Sequence, residues 1–149
     1  MQINKIRLKK MGKGDLNYEI INYLIESINS YAGFGRKAFE TLSLATRVSW
    51  DLGLDGDDAS DFMEVFFDHF GIANGDYDHY RYFKPEGTDI FVFFRSKDRR
   101  AKTEMTLGML YTAAHMKAWD CSILEKTTSS TLPIYNRTED IPIDGFSIR

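Results

Sequence analysis

Three kinds of side chain in this sequence have chemistry beyond packing: a crowd of aspartates, three histidines and one cysteine. The aspartates are densest in Asp51-Leu52-Gly53-Leu54-Asp55-Gly56-Asp57-Asp58. Oxygen donors interleaved with glycine first suggest a calcium loop. Such a loop takes ligands at positions 1, 3, 5 and 12, with glycine at 6. Counted from Asp51, Asp55 and Gly56 meet the fifth and sixth requirements, but Gly53 and Phe62 occupy the third and twelfth. The bidentate carboxylate is missing, so no metal site is expected. His69 and His79 are too far apart for a helical i,i+4 metal pair, and His115 falls on a different predicted helix. Cys121 has no histidine near it in sequence to activate it. No nucleophile elbow, P-loop or dinucleotide fingerprint is present. The expectation is therefore a non-enzyme with no catalytic residue and no cofactor.

The carboxylates continue past the aspartate-rich run with helical spacing. At ~100° per residue, Asp57, Asp61, Glu64 and Asp68 fall within roughly 60° of one another on a predicted helix over 57–70. Phe62, Val65, Phe66 and Phe70 fall on the opposite, core-facing side. Asp55 or Gly56 is the expected N-cap, with Asp58 at a capping-box-like spacing from Asp55, and Gly71 ends the helix. Like charges at i,i+4 repel by a few tenths of a kcal/mol per pair. A solvated face is the ordinary reading of such a stripe. A docking face for a basic partner is the functional one, with association that weakens in salt.

The same run resembles the acyl carrier protein family, whose members carry Asp-Leu-Gly-x-Asp-Ser-Leu before their second helix. The likeness extends through Phe70-Gly71-Ile72 and to Met105-Thr106-Leu107-Gly108-Met109-Leu110, which resembles the opening of the carriers' last helix. With Tyr82-Phe83-Lys84-Pro85-Glu86-Gly87 it also resembles an uncharacterised bacterial family of carrier-like proteins with no established activity. The resemblance implies a carrier-like bundle in which Gly56, flanked by Asp55 and Asp57, replaces the serine that bears phosphopantetheine. Glycine offers no oxygen for a phosphodiester, so loading at this position is excluded. The resemblance further implies that Asp57, Asp58, Asp61, Glu64 and Asp68 form a partner-binding surface for a protein with a basic groove. The alternative it implies is a genuine carrier loaded at an unorthodox serine such as Ser60.

The elements that position these residues are legible as periodic stretches. Leu16, Ile20, Ile21, Leu24, Ile25, Ile28 and Tyr31 predict a helix over 15–30, opened by Asp15 and stopped by Gly33 and Gly35. The connection over 34–54 is long and carries apolar anchors, so it is expected to hold a helical turn. Leu107, Leu110, Tyr111, Ala114 and Ala118 predict a last helix over 106–119 with Thr106 as its N-cap. Residues 90–94 (Ile-Phe-Val-Phe-Phe) read as a short strand or a buried extended segment, and 132–135 and 141–148 as edge strands. The expected fold is mainly α: an acyl-carrier-protein-like helical bundle with an insertion and a small β-hairpin or sheet. Its organisation is a basic arm over 1–14, a helical domain over 15–120 with an insertion at about 74–104, and a tail over 121–149.

Composition narrows the partners. The chain has 149 residues, of which 19 are Lys or Arg and 22 are Asp or Glu, for a net charge of −3. No global basic field for nucleic acid exists, and the basic arm and the loop over 97–102 are short. No apolar run approaches the ~20 residues of a membrane span. A single cysteine permits no internal disulfide and suits a reducing cytoplasm.

Overall fold

The computed structural model describes residues 16–83 and 103–135. Among these the chain is mainly helical and forms a bundle of six helices. Two isolated bridges, Arg47 with Thr106 and Ala73 with Ala118, are the pairings between extended segments, and no sheet is formed. The proposed strand at 90–94, the basic loop at 97–102, the strand at 141–148, the arm at 1–14 and Asp15 lie outside the described residues.

Helix α1 spans Tyr18–Ala32. Asn17, not Asp15, caps it: its Oδ1 accepts the Glu19 N–H at 2.9 Å. Gly33 ends it at φ 67°, a left-handed turn that glycine enters without steric cost. Its buried stripe of Ile20, Ile21, Leu24, Ile25 and Ile28 matches the expected periodicity. The connection after it does hold a helix, α2, over Arg36–Thr41, and Gly35 is the N-cap of that helix. Helix α3 spans Gly56–Phe70 and packs on α1. Helix α4 is a single turn, His79–Tyr82.

Helix α5 spans Leu107–Met116, with the Thr106 hydroxyl accepting the Met109 N–H at 3.2 Å. It stops three residues before the expected Trp119, at Lys117, whose φ of 64° is rare for a residue with a Cβ. Leu107, Gly108, Met109, Leu110, Ala113 and Ala114 are all buried. A helix that is apolar nearly all round belongs in the middle of a bundle, and α5 packs on α1 and on α6. Gly108 serves close approach: a Cβ there would meet Ser129 Oγ at 2.3 Å and the Leu44 carbonyl at 3.1 Å.

The segment after 120 differs from the expected irregular tail. Asp120 accepts the Ile123 N–H at 3.1 Å and opens helix α6, Cys121–Lys126. Residues 132–135 form no strand. The Ile134 N–H donates to the Leu42 carbonyl at 2.8 Å, and the Tyr18 hydroxyl donates to the Ile134 carbonyl at 2.7 Å. Burial pushes the Tyr18 phenol up to about 12. Tyr135 is buried and donates to Asn22 Oδ1 at 2.8 Å. This stretch closes the bundle through side chains and single hydrogen bonds, a pattern without the two-residue alternation that marks a strand.

Candidate functional site

The outer flank of α3 begins at an unusual start. Asp55 is the N-cap, and its carboxylate accepts the Gly56 N–H at 3.0 Å. Gly56 itself has φ 61°. Side chains with a Cβ rarely enter that left-handed region. Glycine is therefore required here by the backbone, which bends to place Asp55 and to start the helix, and a serine would be strained at the same spot. Asp57 and Asp58 follow in the first turn, matched to the positive end of the helix dipole.

All five expected partner-binding residues, Asp57, Asp58, Asp61, Glu64 and Asp68, are exposed. The structure separates them along the helix. Glu64 and Asp68 stand on the rim of an open groove of about 580 Å³ between α3 and the loop leading to α4. Asp57, Asp58 and Asp61 lie outside the groove; Asp57 and Asp61 share the acidic side of α3 with Glu64 and Asp68, whereas Asp58 stands about 100° round the helix from Asp57. Ion pairs among the described residues join Arg47 to Asp51 and Arg81 to Glu125, and neither involves Glu64 or Asp68. The opposite side of α3 needs one correction. Ala59, Phe62, Met63 and Phe66 face the core, whereas Val65 is 50% exposed. Tyr31 of α1 meets Phe62, and Trp119 meets Phe67, at the two edges of the buried arc.

The floor of the groove carries information that periodicity alone did not. Phe67 and Tyr77 meet edge-to-face at 5.0 Å, both half-buried, with Met63 and Ile72 beneath them. Tyr77 is held by Trp119 at 5.2 Å, also edge-to-face. Its hydroxyl shares a 3.0 Å hydrogen bond with His79 Nδ1, and His79 stacks on Phe83. Burial pushes the Tyr77 phenol far above its usual range, so it stays neutral. The signal that would have found this floor is the pairing of Phe67 with Tyr77 across Gly71 and Gly75, two left-handed glycines that fold the loop back on the helix. At Gly75 a Cβ would strike the Trp119 carbonyl at 2.0 Å.

The remaining reactive groups are engaged elsewhere. His69 stacks on Tyr23 at 4.0 Å, and His115 stacks on Tyr111 at 6.0 Å. Cys121 Sγ lies 3.2 Å from the Tyr82 hydroxyl, and its backbone N–H donates to Asp76 Oδ1 at 2.9 Å. Burial pushes its thiol up, which opposes the thiolate form a nucleophile needs. A smaller cavity of about 360 Å³ is lined by Ser43 and Thr46, whose hydroxyl oxygens already accept the Ala45 and Ser43 N–H groups. Ser60 is exposed on the flank of α3, where it lines the groove, rather than at the helix start.

A family model described as Protein of unknown function (DUF1493) matches residues 13–120. The chain belongs to that family. No curated protein and no solved structure matches the chain. The resemblance to acyl carrier proteins is thereby overturned: the family found over 13–120 is not a carrier family. The left-handed Gly56 supplies the physical reason that the motif misled. The Asp-Gly-Asp run has the look of a carrier motif with its serine lost, but the glycine is set by the backbone at the start of α3. The expectation of an uncharacterised family stands. No helix among the described residues is long and apolar enough to cross a membrane.

Proposed function

We propose that this chain is a non-enzymatic protein-interaction module of the cytoplasm, whose recognition element is the acidic side of α3 and whose partner presents a basic surface. One observation carries the reading. Glu64 and Asp68 rim an apolar-floored groove of about 580 Å³ without an ion-pair partner among the described residues. Asp57 and Asp61 extend the same charge along the helix. The carboxylates at 64 and 68 repel as an i,i+4 pair, which costs the helix stability, and a partner's cations would relieve it. The steering such a row provides raises encounter rates and falls with ionic strength.

The test is capture of partners from the native host by the parent chain and by Asp61→Lys combined with Glu64→Lys. The double variant is expected to lose the partners that the parent retains, and added salt to release them from the parent. Equal capture by both proteins overturns the reading.

A further inference from the structure

Resting on the proposed docking role, we infer that the groove takes an arginine side chain from an amphipathic segment of the partner, in preference to lysine. The argument starts from the chemistry of the walls. Glu64 and Asp68 are one helical turn apart, about 6 Å along the axis, and both border the groove. The floor between them and the α4 loop is aromatic, with Phe67 and Tyr77 edge-to-face at 5.0 Å. Anionic rim and π floor together match one side chain best. A guanidinium is planar, pairs with carboxylates through a fork of N–H donors, and stacks on aromatic faces while its alkyl stem covers apolar surface. An ammonium offers a point charge, is more strongly hydrated and stacks poorly.

The same floor says what flanks the arginine. Met63 and Ile72 continue the apolar lining beneath the aromatic pair, and methionine adapts to irregular partners. A leucine or similar residue one turn from the arginine would settle there. Exposed Val65, on the other flank of the acidic row, lies outside the groove and is not part of this subsite.

The experiment uses the full chain and short fluorescein-labelled peptides with leucine one helical turn from an arginine, a lysine or a citrulline. Fluorescence anisotropy reads binding at low and physiological salt. The arginine peptide is expected to bind, the lysine peptide about tenfold more weakly from the lost stacking, and the neutral citrulline peptide not at all. Glu64→Gln combined with Asp68→Asn is expected to weaken the arginine peptide by roughly tenfold or more. Equal binding of arginine and lysine peptides overturns the inference while leaving a charge-driven docking face. Binding of the citrulline peptide as tightly as the arginine one overturns it too. So does failure of every peptide to bind while partner capture still depends on Asp61 and Glu64. Self-association of the chain that disappears in the Glu64→Gln/Asp68→Asn variant would seat a second copy in the groove and also overturn it.

Discussion

Two acidic sites on this molecule hold carboxylates in opposite ways. At α6, Glu125 is gripped by Arg81 through two contacts of 2.6 Å and accepts a short hydrogen bond from the Tyr82 hydroxyl. The Arg81 guanidinium holds the Glu125 carboxyl below the usual carboxylate range, and burial drives the Tyr82 phenol far above its own. At the α3 groove, Glu64 and Asp68 have no such clamp among the described residues. Both sites rest on Trp119, which touches Tyr82 at 5.6 Å and Tyr77 at 5.2 Å. The contrast separates a carboxylate used to fasten the fold from carboxylates left outward. The first satisfies its charge within the chain, and the second presents its charge to solvent.

Removing the shared support is the harshest way to break this contrast. Trp119 is 2% exposed and wedged among Phe67, Tyr77 and Tyr82. Trp119→Ala is expected to cost about 3–5 kcal/mol in urea unfolding, the range for emptying a large aromatic site. Both sites should fail together. A loss below about 1 kcal/mol would show that Trp119 packs loosely and does not couple them.

The clamp alone gives a smaller and pH-dependent effect. Arg81 is nearly half exposed, so Arg81→Ala is expected to cost only about 0.5–1 kcal/mol near neutral pH. The sign follows from the depressed Glu125 carboxyl. A group whose folded pKa lies below its unfolded value stabilises fully above the ordinary carboxylate range, and that contribution is lost as the pH falls through the depressed value. Parent and variant stabilities should therefore converge on acidification. A gap that persists or widens in acid would mean the pair contributes through packing of the arginine stem instead.

Much of the bundle could be read from the sequence because its helices follow one rule each. The stripe in α1 and the acidic row in α3 are periodic, and local signals set their ends: Asn17 and Gly33 for the first, Asp55 and Gly71 for the second. The misses came where a local signal has two meanings. Asp15 is a good cap by residue type, but so is Asn17, and it is Asn17 that accepts the Glu19 N–H. Gly35 reads as a stop but opens α2. Asp120 caps α6 at the start of a stretch that reads as an irregular tail. The groove floor was hidden for a different reason. Phe67 and Tyr77 are brought together by the left-handed turns at Gly71 and Gly75 and by Trp119 beyond α5, contacts that no periodicity encodes. The Asp55-Gly56-Asp57 run was the most misleading feature, because the demand for a positive φ leaves the same letter in the sequence as a lost serine.

The mildest perturbation is the most discriminating between the two acidic sites. Glu64→Gln combined with Asp68→Asn removes a repelling i,i+4 pair from the exposed side of α3. The isolated effect on stability is expected to be a gain of a few tenths of a kcal/mol, visible as a small rise in the urea midpoint with an unchanged slope. At the same time binding of the arginine peptide should fall. A fold that becomes steadier as it loses its ligand marks residues kept for recognition at the expense of stability. At Glu125 the equivalent neutralisation, Glu125→Gln, must go the other way, because Arg81 and Tyr82 lose the charge they both contact. Destabilisation at both sites would mean that the groove carboxylates also fasten the fold, and the distinction between the two regions would disappear.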